Sequence, residues 1–136
     1  MSLGIIRLEH IGIATKEEGA QELFESLLGR PVYKTEQVES EQVETKFLRM
    51  GETKIELLNG LSAHDAITSF VTKRGPGIHH LAFEVSDIHV AFEEAQKMGL
   101  VVLNDAPKEG ADNKMIFFIH PKSAGGVLVE FCQEIK

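Results

Sequence analysis

A single cysteine, four prolines, no tryptophan and no long apolar run mark what this 136-residue chain does without. With Cys132 alone, no intrachain disulfide and no cysteine-based zinc cluster can form, so His, Asp and Glu are the ligand chemistry left. That donor set is hard and suits ions such as Zn, Co, Ni, Mn or Mg. No stretch approaches the roughly 18–20 apolar residues that span a bilayer, and no charged segment precedes an apolar one at the start. The expected location is therefore the cytoplasm, with no membrane partner. Basic residues are scarce too: 14 Lys and Arg against 21 Asp and Glu give a formal charge of −7. Phosphate contacts need clustered cations, so a nucleic-acid partner is not expected, and an anionic ligand would need a local positive feature such as a metal.

What is present is an ordinary globular composition, 43% hydrophobic and 26% charged. A chain of this length folds as one domain and buries roughly 65–70% of the surface its unfolded form exposes. Two stretches resemble each other. LEHIGIA, Leu8 to Ala14, alternates as a strand and is followed by TKEEGAQELFESLLGRPV. Thr15 and Glu18 there have capping-box spacing, Ala20, Leu23, Phe24, Leu27 and Leu28 recur at helical period, and Gly29 stops the helix. GIHHLAFEV, Gly77 to Val85, is followed by Ser86 and Asp87 as caps, by Ile88, Ala91, Phe92, Ala95 and Met98 at helical period, and by Gly99.

His10 precedes Gly29 by the same 19 positions by which His80 precedes Gly99, which points to an internal repeat. Strand patterns then follow each helix: VETKFLRM and TKIELLNG in the first half, KMIFFIH and VLVEF in the second. A helix from Ala63 to Lys73, with Ala66, Ile67, Phe70 and Val71 on one side, links them and ends at Gly75-Pro76-Gly77. The expected fold class is α+β: two βαβββ modules forming a curved mixed β-sheet around a metal-binding cleft. Module one spans about 6–60, the linker about 62–74 and module two about 77–133, all within one domain, 1–136. Clefts between repeats favour ligands.

Four polar residues fall at equivalent points of the halves: His10 with His80 on the first strands, Glu56 with Glu130 on the last. Successive strand side chains alternate in direction, so the adjacent His79 and His80 face opposite ways. His80 shares a face with Ala82 and Glu84, whereas His79 goes with the more apolar Leu81, Phe83 and Val85 that would face helices. Glu56 lies with Lys54 and Leu58, opposite Ile55 and Leu57. Glu130 lies with Leu128, opposite Val127, Val129 and Phe131. Alternation alone leaves two readings open: a glutamate on such a face is often solvated and idle, while two imidazoles and two carboxylates brought together make a divalent-cation site.

The strings LEHIGIA, TKIELL, GIHHLAFEV, EGADNK and FFIHPKSAGGVLVEF closely resemble the methylmalonyl-CoA epimerases within the vicinal oxygen chelate (glyoxalase/bleomycin resistance/dioxygenase) superfamily, from His10 to Phe131. The resemblance implies that His10, His80 and Glu130 are metal ligands, that Glu56 occupies a fourth ligand slot, and that His79 is not a ligand. It implies an isomerase that interconverts (2R)- and (2S)-methylmalonyl-CoA, commonly as a dimer. Removing a proton flanked by a carboxylate and a thioester carbonyl needs more than the roughly 10²–10⁴ that a general base contributes. A divalent ion chelated by two substrate oxygens would stabilise the enolate as a Lewis acid.

Inversion also requires an acid and a base on opposite faces of the enolate. Here the sequence departs from the best-known epimerase pattern: Lys46 stands where some epimerases carry a glutamate base, and Glu44 lies two residues earlier on the same strand face, so the expected pair is Glu130 with either Glu44 or Lys46. The loop of His120, Pro121 and Lys122 before the turn Ser123 to Gly126 reads either as a plain strand-ending turn or, by resemblance, as a place where Lys122 meets a phosphate or the substrate carboxylate. Two alternatives carry the same fold. Glyoxalase I (lactoylglutathione lyase) uses a similar His/Glu/His/Glu set, and Glu56 suits it, but HPKSAGGVLVEF resembles the epimerase turn instead. A non-catalytic small-molecule binding protein would be favoured by lost ligands, and none is lost here.

Overall fold

A computed structural model of the chain describes residues 2–16 and 19–136. The fold is α+β, with eight strands in mixed parallel and antiparallel pairing and three helices among the described residues. Its residues group into two compact units, His10–His79, and Met1–Glu9 together with His80–Lys136. The division falls within two strands, β1 (Ile5–Ala14) and β5 (Gly77–Val85), rather than at the linker helix.

In the His10–His79 unit the strand order is β2 (Lys34–Val38), β3 (Val43–Met50), β4 (Thr53–Gly60), then the end of β1. The first three pair antiparallel, and β4 runs parallel to β1. Strands VETKFLRM and TKIELLNG have the bounds their alternation implies, turning at Gly51 (φ 64°). Helix α1 (Ala20–Leu28) also forms where its period places it. Gly29 ends it in the left-handed region (φ 66°), where a side chain would be strained, and its N–H returns to the Glu25 carbonyl at 2.9 Å.

The capping-box expectation for α1 fails at Thr15. Its hydroxyl donates to the Leu58 carbonyl (3.0 Å), and Gly19 is the N-cap, while Glu18 lies outside the described residues. Helix α2 (Ala66–Arg74) starts three residues later than its pattern suggested, because Asp65 caps it: the carboxylate accepts from the Thr68 N–H at 2.8 Å. Ile67 of α2 then packs on Ala14, Val43 and Leu58, with Phe70 and Val71 around them.

The second unit orders its strands β1, β5, β8 (Val129–Glu134), β7 (Lys114–Ile119), β6 (Lys108–Gly110). Strand β5 is parallel to β8, and β8, β7 and β6 are antiparallel in turn. Helix α3 (Ile88–Lys97) is capped by Asp87, which accepts from the N–H groups of His89 and Val90. Ser86 is not the cap, since its own N–H goes to the Gly4 carbonyl. The inward stripe of α3, Ile88, Ala91 and Ala95, closes a core with Val85, Phe117, Ile119 and Phe131, and Phe92 meets Phe117 edge-on at 5.3 Å. Phe83 and Val129 border this core, which confirms that their face of β5 and β8 looks toward the helix.

Candidate metal centre and active site

Register makes the two units equivalent in detail. Gly12 of β1 lies opposite Glu56 of β4, and Ala82 of β5 lies opposite Glu130 of β8, both pairs in parallel strands. Each histidine therefore sits two residues before the residue facing its glutamate, and residues two apart share a face. The consequence is a bonded pair in each unit. His10 Nδ1 is 3.0 Å from Glu56 Oε2, and His80 Nε2 is 3.2 Å from Glu130 Oε1.

All four residues are buried, at 5% exposure for His10, 3% for Glu56, 6% for His80 and 5% for Glu130. The solvated-glutamate reading is thereby overturned for both carboxylates. Burying a carboxylate requires a partner, and each has an imidazole within reach. Around His80, the Phe118 ring stands edge-on at 5.8 Å, as expected from a residue directly opposite Glu130. His79 points away from His80, as alternation requires, and its ring meets Phe70 of α2 edge-on at 5.0 Å.

Glu44 and Lys46 are not brought to this chemistry. Glu56 lies opposite Phe47 across β3 and β4, whereas Glu44 and Lys46 lie opposite Asn59 and Leu57. Cross-strand partners share a face, so Glu44 and Lys46 leave the sheet on the side away from Glu56, where Lys46 Nζ sits 3.7 Å from Glu44 Oε1. The β3 residues on Glu56's side are Val43, Thr45 and Phe47, all buried, and the exposed Arg49. The spacing placed Glu44 and Lys46 on one face correctly but could not say which, because that depends on the register with β4.

Lys122 lies in a short 3₁₀ turn, Pro121–Ser123, with its side chain exposed. Its backbone N–H donates to His120 Nδ1 (3.0 Å), so the turn is pinned by the histidine before it. Cys132 is fully buried two residues beyond Glu130, and desolvation, reinforced by the Glu130 charge, pushes its thiol far up, leaving it neutral.

One buried group near the site had a visible signal in the alternation but received no role from it. Lys54 is 3% exposed and its Nζ lies 3.8 Å from Glu56 Oε2, the oxygen that His10 also holds. No helix among the described residues is long and apolar enough to cross a membrane.

The chain resembles known proteins along nearly all of its length. It is 37% identical over 130 residues to the ethylmalonyl-CoA/methylmalonyl-CoA epimerase of Cereibacter sphaeroides, covering 93% of this chain and 97% of the relative. The crystal structure of methylmalonyl-CoA epimerase from Mycobacterium tuberculosis superposes with a TM-score of 0.92 at 31% identity, covering 98% of this chain and 91% of the other. A methylmalonyl-CoA epimerase in complex with methylmalonyl-CoA and an ammonium ion gives 0.91 at 30% identity, with 96% and 95% coverage. These relatives are named as epimerases, members of the isomerase class. A family model matches residues 9–118, a span that starts one residue before His10 and includes Glu56 and His80. The duplicated His–Glu geometry thus sits in a chain that belongs to the glyoxalase/bleomycin resistance protein/dioxygenase superfamily.

Proposed function

We propose that this protein is a metal-dependent epimerase interconverting (2R)- and (2S)-methylmalonyl-CoA. The observation that carries the reading is the buried His–carboxylate pair repeated in both units with the same register. The donors fit a divalent cation: imidazoles and carboxylates, buried, in groups suited to metal ligation. His10, Glu56, His80 and Glu130 would hold it, with Co, Zn, Ni, Mn and Mg all acceptable to such a set. When bound, a divalent ion supplies Lewis-acid stabilisation of negative charge developing on substrate oxygens.

The chain's own residues supply the rest. Glu130 also moves a proton at the substrate's α-carbon, its carboxylate held by His80 on one side. Glu44 and Lys46 face away from Glu56, so the partner that inversion requires on the enolate's opposite face is a group other than these two. Burial of the four residues keeps competing water from the carboxylates, which strengthens every charge interaction there. Lys122, exposed on its pinned turn, is suited to a coenzyme A phosphate. The reading includes one domain of two modules acting together, a cytoplasmic location, to which a buried free cysteine is suited, and a homodimer. Leu23 and Leu27 on α1, 56% and 66% exposed, offer apolar surface that a second copy could cover.

The test is a metal-loaded assay of (2R)/(2S)-methylmalonyl-CoA interconversion in deuterated solvent, run beside the methylglyoxal–glutathione reaction. Deuterium entering the α-position of methylmalonyl-CoA supports the proposal. Turnover of the glutathione hemithioacetal alone transfers the site to a glyoxalase I chemistry, and activity on neither leaves a binding protein.

A further inference from the structure

The repeat sets a phenylalanine against each buried glutamate: Phe47 opposite Glu56 in the His10–His79 unit, and Phe118 opposite Glu130 in the other. The two rings have different surroundings. Phe47 is fully buried, with the ammonium groups of Lys34 and Lys54 at 4.6 and 5.6 Å from its centre. Phe118 is only half-buried, although Phe117 and Ile119 on either side of it in β7 are enclosed in the core under α3. Alternation sends Phe118 to the opposite face, the one that carries Glu130. Of the apolar residues on that face, Ala82, Ile116 and Cys132 are buried, while Phe118 and Leu128 are half-buried. Only Phe118 of these last two stands in register with Glu130.

The backbone fixes how close ring and carboxylate come. The Phe118 N–H donates to Asn104 Oδ1 at 2.8 Å, and the Phe118 carbonyl accepts from the Leu103 N–H at 2.9 Å. Both groups therefore point away from β8, which makes Phe118 and Glu130 a non-hydrogen-bonded pair of the antiparallel ladder. Such pairs bring their Cα atoms to about 4.5 Å, the shorter of the two cross-strand spacings, with side chains in contact. The ring also stands edge-on to His80, 5.8 Å between centres and 86° between planes. An open apolar surface is thus held beside Glu130 and the imidazole bonded to it.

We propose that Phe118 is the specificity-determining residue for the substrate's α-alkyl group, its ring forming the wall against which that group packs and which limits its size. The inference rests on the epimerase reading above and deepens it by naming what the site measures. A thioester whose α-carbon is within reach of Glu130 brings that carbon's other substituents beside Phe118. A carboxylate and a thioester carbonyl gain little from a phenyl surface, whereas an alkyl group sheds water by packing on it. Epimerisation adds a geometric reason. The enolate is planar, so the proton changes faces while the alkyl group stays in the plane, and one fixed wall serves both epimers. One methyl group more or less against such a wall changes kcat/KM by about tenfold or more.

The experiment compares wild type, Phe118→Ala and Phe118→Trp, each loaded with Co²⁺, on malonyl-CoA, methylmalonyl-CoA and ethylmalonyl-CoA, three thioesters that differ only in the α-alkyl group. Deuterium uptake at the α-carbon gives kcat/KM for all three, and calorimetry gives their binding. The expected result in Phe118→Ala is methylmalonyl-CoA lowered about tenfold or more, malonyl-CoA within about threefold of wild type, and ethylmalonyl-CoA raised about tenfold relative to methylmalonyl-CoA. Phe118→Trp should move that last ratio the other way. Melting curves establish folding, and Phe118→Leu, with the same direction expected, replaces the Ala variant if that does not fold. A common factor for all three thioesters overturns the proposal, for then the ring merely props up His80 or Glu130. Unchanged ratios overturn it while leaving the epimerase reading intact. A wild-type protein that exchanges none of the three overturns both.

Discussion

Replacing Asp65 by alanine should destabilise the chain through a single well-defined cluster. The Asp65 carboxylate accepts from the Thr68 N–H at 2.8 Å, the Thr68 hydroxyl at 2.7 Å, the Ser62 N–H at 3.0 Å and the Ser62 hydroxyl at 3.2 Å. Losing an N-cap alone costs about 0.5–2 kcal/mol. The variant also strands the half-buried Ser62 donors at about 1 kcal/mol, part of which water recovers, while the Thr68 hydroxyl keeps the Ser62 carbonyl as acceptor at 2.9 Å. The sum expected is about 1.5–3 kcal/mol, or a melting temperature about 5–10 °C lower for a domain of this size.

The pH dependence has a definite sign. Burial alone would raise the Asp65 carboxyl, but the bonds from Thr68 and Ser62 together outweigh it and hold the group below its ordinary 3.8. A depressed carboxylate stabilises the fold above its unfolded value, and that stability is lost as pH falls through the folded value. The gap between wild type and Asp65→Ala should therefore be constant near neutrality and close below about pH 4. Calorimetric melts from pH 7 down to the acid limit read both quantities. A variant within about 1 °C of wild type at pH 7, or a gap that widens in acid, would refute the reasoning.

Gly60→Ala should cost about 1–3 kcal/mol in urea denaturation, because a Cβ there would collide with Thr68 Oγ1 and the Asp65 carboxylate; combined with Asp65→Ala the two costs should fall short of additive. Glu44→Gln and Lys46→Met should each keep α-proton exchange of methylmalonyl-CoA within about threefold of wild type, whereas loss of a true general base costs about 10²–10⁴. Either variant losing a hundredfold would place its side chain at the reaction despite the register. Cys132, fully buried, should react with a thiol reagent such as DTNB only as fast as the chain unfolds, and prompt labelling of native protein would contradict its burial.

Much of the architecture was legible because it rests on local rules. The apolar period and terminal glycine placed α1, alternation placed β3 and β4 to the residue, and the 19-residue offset of His10 and His80 from their glycines revealed the repeat before any pairing was known. Alternation also separated His79 from His80 correctly. Non-local facts stayed out of reach. Thr15 has the right spacing for a cap, yet the Leu58 carbonyl on β4 competes for its hydroxyl. Strand β6 is three residues long and carries too short a pattern to read, and β2, KTEQV, alternates too weakly in polarity to stand out. Which way Glu44 and Lys46 point depends on β3 pairing in register with β4, and a one-residue shift would have reversed it. Burial of Glu56 and Glu130 was hidden for the same reason, since the partners that permit it come from strands distant in the chain.

The account turns on His10, Glu56, His80 and Glu130 acting on one ion rather than as two separate ion pairs. Titration of the metal-free protein with Co²⁺, followed by visible absorption and calorimetry, addresses this directly when His10→Ala and His80→Ala are measured beside wild type. One equivalent per chain is predicted, with affinity reduced at least about a hundredfold in both variants, because each removes a ligand of the same site. Two equivalents per chain, or one variant that binds Co²⁺ as wild type does, would contradict it.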